Sequence, residues 1–271
     1  MDFNGKTAII TGAGRGIGAA LAREFTARGA RVAVADLDAA AASTVALEID
    51  GLACTCDVTD EREIQALVAR VEAEFGPVDI FFSNAGIFRG EPDHAASATD
   101  STWQACWQLH VMAHVYATRA VLPAMIARGD GYLAQMASAA GVLNQIGDAA
   151  YSSTKHAAVG LSEALTITHG HQGVKVSVVC PQYVATPMLG YDDPAQAEEL
   201  PNVLSPEVVA QRVTDAMEAE TFMILPHPDV AGYMEFKASH YEKWLSGMRK
   251  LRAKIVSQLG GTKLSEMHKW I

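Results

Sequence analysis

A glycine-rich loop near the start of the chain constrains the fold more than any other feature. The run Thr7-Ala-Ile-Ile-Thr11 predicts a buried strand, and Gly12-Ala-Gly-Arg-Gly-Ile-Gly18 follows it directly. Glycine permits a sharp turn, and without a Cβ the backbone can approach another group closely. A helical pattern over 16–28 continues from the loop. This order of strand, glycine loop and helix predicts the first unit of a parallel α/β sheet.

Short apolar runs alternate with longer, alanine-rich segments of helical period over most of the chain. The alternation is typical of βαβ units, so we expect a three-layer, doubly wound α/β fold with a mostly parallel seven-stranded sheet and helices on both faces. Without a linker or low-complexity tract, the 271 residues predict a single domain over 1–271. The predicted strands are 7–11, 31–35, 52–56, 78–82, 131–136, 174–180 and 221–225, and the predicted helices are 16–28, 39–48, 60–75, 101–127, 151–170 and 206–219.

Two later segments depart from the alternation. Residues 187–204 are polar, acidic and flanked by prolines, so we expect a loop or short helices that cover a substrate site. The extension over 227–271 is rich in aromatic residues, and Tyr241, Trp244 and Met248 recur in it at helical spacing. We interpret that stripe as a packing face, against the same chain or a neighbouring subunit, in preference to a ligand-binding face.

The charge balance argues against polyanionic partners. With 21 lysines and arginines against 31 aspartates and glutamates, the formal net charge is −10. No excess of cations is available to neutralise phosphates, so we expect neither a nucleic-acid partner nor an electrostatic membrane anchor. No apolar stretch approaches the roughly 20 residues that a bilayer requires. Four scattered cysteines fit neither a disulfide framework nor a zinc site, which predicts buried thiols, no metal and a cytoplasmic location.

The glycine loop also carries a functional expectation. A helix N-terminus presents free N–H groups and the positive end of a dipole, which suits the pyrophosphate of a dinucleotide. The second predicted strand is followed by Asp36, at the distance expected of a carboxylate that accepts the hydroxyls of a ribose. That carboxylate repels a 2′-phosphate, whereas Arg15 could approach one, so NAD is predicted in preference to NADP. The plainer interpretation of Asp36 is an ordinary turn residue.

Three further residues predict a proton-transfer site. Tyr151 and Lys155 lie four apart in a predicted helix and therefore share a face. A neighbouring ammonium and a cationic nicotinamide ring would stabilise a phenolate and lower the pKa of the tyrosine. Ser138, at the end of a predicted strand, can donate a hydrogen bond to the same substrate oxygen. A tyrosine and a lysine alone at this spacing are more often surface residues, so the prediction depends on the combination.

With these residues the chain resembles the classical short-chain dehydrogenase/reductase family over nearly its whole length. The resemblance implies a Rossmann fold and an NAD(P)-dependent oxidoreductase that acts on CH–OH donors. It also implies a homotetramer or homodimer built partly on the helices at 101–127 and 151–170. The motifs that carry it, in chain order, are Thr11-Gly12-x-x-x-Gly16-Ile17-Gly18, Asp57-Val58, Asn84-Ala85-Gly86, Ser138, Tyr151-x-x-x-Lys155, and Pro181 with Thr186.

The same resemblance implies a role for each residue. Tyr151 would be the general acid/base, Lys155 would bind the nicotinamide ribose, and Ser138 would orient the substrate oxygen. Asp57 and Val58 would hold the adenine, and Thr186 would contact the carboxamide. The cofactor-binding residues so implied are Gly12, Gly14, Arg15, Gly16, Ile17, Gly18, Asp36, Leu37, Asp57, Val58, Asn84, Ala85, Gly86, Tyr151, Lys155, Pro181 and Thr186.

Two positions depart from the family's pattern. His110 stands where the family usually has an asparagine that supports a water relay to the lysine, and a histidine titrating near neutrality would make that relay pH-sensitive. The alternative is a histidine that only hydrogen-bonds within the helix packing. Gln182 replaces the usual glycine after Pro181, and we assign it, as a hypothesis, a hydrogen bond to substrate.

The predicted substrate is an uncharged, moderately hydrophobic secondary alcohol or ketone. The candidate wall residues are mostly apolar with a few amides and include no arginine to clamp a carboxylate. Acidic residues of the 187–204 loop would disfavour anions. An NADP-dependent carbonyl reductase and a non-catalytic NAD-binding regulatory protein remain as alternatives. The wall residues are Val142, Leu143, Asn144, Gln145, Gln182, Tyr183, Met188 and Leu189, and the loop acids are Asp192, Asp193, Glu198 and Glu199.

Overall fold

A computed structural model describes residues 1–197, 200 and 202–270. Glu198 and Glu199 of the predicted acidic loop lie outside the described residues. The strands are β1 (Thr7–Thr11), β2 (Arg31–Asp36), β3 (Leu52–Thr55), β4 (Ile80–Ser83), β5 (Gly131–Met136), β6 (Val174–Val179), β7 (Tyr183–Val184), β8 (Val203–Leu204) and β9 (Met223–Ile224). The α-helices are α1 (Gly16–Ala27), α2 (Ala39–Glu48), α3 (Glu61–Phe75), α4 (Asp100–Trp107), α5 (Ala113–Arg128), α6 (Ala149–His169), α7 (Pro206–Glu218), α8 (Asp229–Ser239), α9 (Tyr241–Leu259) and α10 (Leu264–Met267).

Seven parallel strands form the central sheet in the order β3-β2-β1-β4-β5-β6-β9, which confirms the predicted fold class. The chain builds outward from β1 to β3, then returns to place β4 on the other side of β1. The carboxyl ends of β1 and β4 therefore border the crevice at which the strand order reverses, where open α/β sheets bind ligands. A small pair, β7 and β8, was not predicted because each strand has only two residues.

Alternate residues of the central strands pack against opposite helical layers. Ile10 and Phe82 belong to a buried cluster with α1, α2 and α7. Ile9 and Phe81 belong to a second cluster with α3, α5 and α6. Because helices cover both faces, β1 and β5 are buried at every position, and this explains their nearly continuous apolar sequence.

The predicted strands and helices begin and end within two residues of the observed ones. The largest difference lies inside the predicted helix at 101–127, which is divided by a π-helical segment, Gln108–Met112. A π turn inserts an extra residue, and such segments are frequent at functional sites. Here the segment places His110 and Val111 in the interior.

A third apolar cluster joins the 187–197 segment to the C-terminal helices. It includes Leu189 and Tyr191 from the segment, together with Ile255 of α9 and Met267 of α10. The Tyr191 hydroxyl lies 2.6 Å from Nε2 of His268. The tail therefore packs on the loop predicted to cover the substrate. Within the described residues, no helix has the length and apolar character needed to cross a membrane, and the four cysteines are buried free thiols, as predicted.

Candidate active site

A cavity of about 1220 Å³ lies at the carboxyl edge of the sheet. It is larger than a typical pocket for one drug-sized ligand, about 300–1,000 Å³, and so has room for a dinucleotide and a second molecule. Of the residues predicted for the site, all line this cavity except Gly14, His110 and Val142. The loop after β1, the segment after β4, the end of β5 and the start of α6 therefore converge, as the sequence predicted.

The glycine loop fits closely against the segment after β4. Gly12 has a φ of +61°, and a Cβ there would lie 2.8 Å from the Cα of Ala85. The Asn84 side-chain amide donates to the carbonyls of Thr11 and Gly12, at 2.9 and 3.1 Å. Helix α1 begins without a side-chain cap and with no acidic residue in its first turn. Its N-terminal N–H groups are therefore available to an anion, which is the fit that a pyrophosphate requires.

Asp36 is held in place at the end of β2 by two backbone amides. Its carboxylate accepts from the N–H of Gly14 at 2.9 Å and from the N–H of Asp38 at 3.0 Å. It thus serves as a turn residue and also faces the cavity. The exposed Arg15 guanidinium, the only predicted contact for a 2′-phosphate, lies 3.6 Å from the Asp38 carboxylate. Arg15 therefore already has an acidic partner.

The three residues predicted for proton transfer, Ser138, Tyr151 and Lys155, all line the cavity. Lys155 Nζ donates to the Met136 carbonyl at 2.7 Å and lies 5.6 Å from the centroid of the Tyr151 ring. Ser138 Oγ accepts from the N–H of Ala140 at 3.1 Å. The two residues of the predicted pair are one helical turn apart on α6, as expected.

The electrostatics of this group differ from the expectation. Burial raises the pKa of Tyr151 to about 12, and a hydrogen bond with Ser138 opposes the rise only in part. Burial lowers the pKa of Lys155 to about 8. The predicted lowering of the tyrosine pKa is therefore not present in the protein alone, because desolvation outweighs the hydrogen bond with Ser138. At neutral pH the tyrosine hydroxyl is therefore protonated.

Asp148, which does not itself line the cavity, positions two segments of the site, and the sequence analysis missed it. Its buried carboxylate caps α6 by accepting from the N–H of Tyr151 at 2.9 Å. The other oxygen accepts from the N–H groups of Gly90 and Arg89, at 2.7 and 3.2 Å. One side chain thus fixes both the helix start that carries the tyrosine and the loop beside it. The sequence signal that could have identified Asp148 is its position three residues before Tyr151, near a predicted helix start, where aspartate is a preferred N-cap residue.

His110 is enclosed beside the cavity and does not line it. Its Nε2 accepts from the N–H of Ile87 at 3.1 Å, so the proton is on Nδ1, which donates to the Thr154 hydroxyl at 2.9 Å. Its ring meets the Tyr151 ring edge-on, with centroids 5.4 Å apart. Burial, the Lys155 charge and His114 hold the pKa of His110 well below 6.5. The expected titration near neutrality is therefore corrected to a neutral, hydrogen-bonded histidine.

We expect the His110→Asn variant to keep the pH–rate profile of the parent between about pH 6 and pH 8, because the histidine is neutral throughout that range. The variant is expected to lose about 1–3 kcal/mol of stability if the Ile87 amide is left without a partner. Initial rates across this range, with urea denaturation at neutral pH, measure both effects. An ionisation near pH 6.5 that disappears in the variant would contradict the neutral assignment.

The substrate side of the cavity differs from the predicted wall in two respects. The Val142 side chain packs in a buried cluster with Ala158 and Val178 instead of lining the cavity, because its strand-end segment turns toward α6. Gln182 lines the cavity, while its N–H donates to Nδ1 of His227 at 3.1 Å. The further wall residues that sequence analysis missed include Phe88, Arg89, Tyr233, Phe236, Trp244, Met248, Leu251 and Leu264.

Comparison with known proteins gives a consistent result. A family model described as short chain dehydrogenase matches residues 6–197. Oxidoreductase UcpA of Escherichia coli (strain K12) is 32% identical over 252 residues, which span 90% of this chain and 92% of that protein. D-threitol dehydrogenase of Mycolicibacterium smegmatis is 35% identical over 193 residues, 69% of this chain and 74% of that protein. A short chain dehydrogenase/reductase from Burkholderia phymatum, solved in complex with NAD, is 25% identical with a TM-score of 0.80, over 89% of this chain and 96% of that one.

Proposed function

Because the chain belongs to the short chain dehydrogenase family, a family of oxidoreductases, we propose that it interconverts a secondary alcohol and a ketone with NAD as the cofactor. The observation that carries the proposal is the meeting of Ser138, Tyr151 and Lys155 in the same cavity as the glycine loop. The similar Burkholderia structure that holds NAD supports a nicotinamide cofactor. A bound nicotinamide supplies the hydride acceptor or donor, and the protein supplies orientation and a proton route.

The proposed proton route uses the Tyr151 hydroxyl. With a pKa near 12 it is protonated at neutral pH, so it donates its proton to the carbonyl oxygen during ketone reduction. In the reverse direction the phenolate takes the proton of the alcohol. Ser138 donates a hydrogen bond to the same oxygen, where negative charge develops in the transition state. Lys155, held by the Met136 carbonyl, keeps a positive charge beside the ring.

NAD is proposed over NADP on the charge of Asp36. We expect the parent protein to bind NAD more tightly than NADP, and Asp36→Asn to reduce that preference about tenfold, a difference of about 1.4 kcal/mol. Asp57→Asn is the matched control, since it removes the same charge at the adenine end of the cavity. That control is expected to leave the ratio of the two dissociation constants unchanged. Calorimetric titration of both cofactors measures the ratio, and tighter NADP binding by the parent would favour the carbonyl reductase alternative.

A panel of secondary alcohols with NAD, followed by NADH absorbance, tests the activity itself. Turnover of an uncharged alcohol supports the proposal. NAD binding without turnover of any alcohol or ketone would favour the non-catalytic regulatory protein. The proposal also retains a homotetramer or homodimer built partly on the helices predicted at 101–127 and 151–170, and a cytoplasmic location. Light scattering measures the oligomeric state.

A further inference from the structure

The C-terminal helices α8 and α9 form part of the cavity wall. Tyr233 and Phe236 of α8 and Trp244 and Met248 of α9 line the same cavity as Tyr151. The sequence analysis favoured a packing role for the stripe of Tyr241, Trp244 and Met248, whereas in the structure Trp244 and Met248 also line the cavity. Tyr241, the other aromatic residue of the predicted stripe, is 54% exposed and is not part of the wall.

Lys237 fastens this wall to the segment that follows Ser138. Its Nζ donates to the carbonyls of Val142 and Leu143, at 2.8 and 2.9 Å. The same ammonium lies 4.9 Å from the centroid of the Trp244 ring. The Lys237 ammonium therefore already has two carbonyl acceptors and an aromatic ring as partners. It holds α8 and α9 over the cavity and is not available to a ligand.

The space so enclosed is apolar near the tyrosine. Phe88 meets the Tyr151 ring with centroids 5.4 Å apart, and Met248 and Leu251 face the same space. We call the space bounded by Phe88, Tyr233, Phe236, Trp244, Met248 and Leu251 the aromatic chamber.

None of the charged residues on the described cavity wall is among the six that bound this chamber. Arg15, Asp36 and Asp57 are assigned to the dinucleotide, and Lys155 is held by the Met136 carbonyl. Arg89 is exposed, so water screens its charge. The same holds for the exposed Lys243, whose ammonium lies 5.9 Å from the centroid of the Phe236 ring.

Two aromatic residues of the chamber are partly open to solvent. Tyr233 is 49% exposed and Phe236 is 39% exposed. A ligand that covered both rings would therefore gain apolar burial.

We propose that the aromatic chamber binds the body of a bulky, uncharged, lipophilic alcohol or ketone, whose oxygen reaches Tyr151 and Ser138. This inference adds the size and lipophilicity of the substrate to the proposed function. That the substrate is an alcohol or ketone rests on the proposed function. The chamber's affinity for an apolar body, by contrast, is independent of turnover and can be measured without it.

Binding of a ketone series to the NAD-loaded protein tests the chamber, since a ketone and NAD do not react. The probes are cyclohexanone, a fused two-ring ketone and a four-ring ketone, titrated calorimetrically. We expect affinity to increase along the series by roughly fourfold for each methylene that becomes buried. Constant affinity beyond one ring would overturn the proposal, as would tighter binding of a carboxylic acid with the same skeleton.

Variants locate the binding in the chamber. Trp244→Ala is expected to weaken binding of the four-ring ketone at least tenfold and of cyclohexanone less than twofold. Met248→Trp, which fills the chamber, is expected to have the same selective effect. Trp107→Ala, at an exposed tryptophan on α4 outside the cavity wall, is the matched control and should change neither affinity. If Trp244→Ala and Met248→Trp weaken binding of both ketones equally, or if only Trp107→Ala weakens binding, the ketones do not bind in the chamber.

The same titrations separate the two proposals. If the four-ring ketone binds in the chamber and no ketone of the series is reduced when NADH replaces NAD, the chamber is supported and the proposed function is contradicted. If cyclohexanone is reduced and the larger ketones neither bind nor react, the proposed function is supported and the chamber is overturned.

Discussion

Replacing Tyr151 by phenylalanine is expected to lower kcat/KM about 10²–10⁴-fold in both directions, the usual contribution of a general acid or base. The change removes one hydroxyl and keeps the ring that packs against Phe88 and His110. Calorimetry should therefore show NAD binding within twofold of the parent. Because the pKa near 12 keeps the hydroxyl protonated at neutral pH, the parent's rate of alcohol oxidation should also rise as the pH is raised.

Tyr132→Phe is a matched control for that experiment. Its hydroxyl lies 2.6 Å from the Ser177 hydroxyl, and burial raises the pKa of Tyr132 to about 12 as well. The residue belongs to β5 and does not line the cavity. Its loss should cost about 1 kcal/mol of stability and leave turnover unchanged. Retained activity in Tyr151→Phe would contradict the assigned proton route.

Replacing Lys155 by methionine is expected to lower turnover about 10²-fold or more and at the same time to stabilise the fold. Burial of the charged ammonium destabilises the folded state, because it lowers the pKa of Lys155 from 10.5 to about 8. That shift corresponds to about 3 kcal/mol. The Met136 carbonyl loses its hydrogen bond from Lys155 Nζ, which offsets about 1–3 kcal/mol of this gain. The net gain at neutral pH is therefore at most about 2 kcal/mol.

The stability gained by Lys155→Met is expected to disappear as the pH is raised. Below pH 8 the lysine is protonated in both the folded and the unfolded chain, so the full cost is present. Between pH 8 and 10.5 the folded state releases its proton first, and the cost disappears as the pH rises. Urea denaturation at pH 7 and above pH 10 should show the difference and its loss. Lys175→Met, which breaks an exposed pair with Glu220, should bring no gain. Destabilisation of Lys155→Met at pH 7 would contradict the cost of burial.

The features that were predictable are those encoded within a few consecutive residues. Gly12 and its neighbours follow a strand and start a helix, and Tyr151 and Lys155 are one helical turn apart, so their placement needs only local geometry. The parallel sheet with helices on both faces followed from the alternation of strands and helices, since parallel strands with covered faces are nearly continuous apolar runs. The π-helical insertion at Gln108–Met112 has no such local signature.

The features that were missed depend on contacts between distant parts of the chain. Neutral His110 results from burial against Thr154, 44 residues away. Lys237 reaches the Val142 carbonyl across 95 residues, and no periodicity of the tail predicts that partner. The pKa of Tyr151 was misjudged for the same reason, because desolvation by the surrounding helices is invisible in the sequence.

Among the described residues, the buried members of the third apolar cluster include none from the seven-stranded sheet. We therefore expect α9 and α10 to separate from the cavity by local unfolding, at a lower free energy than unfolding of the sheet requires. Entry of a large molecule would disturb only this small unit. The strands that fix the glycine loop and the proton-transfer residues would stay native while the entrance opens and closes.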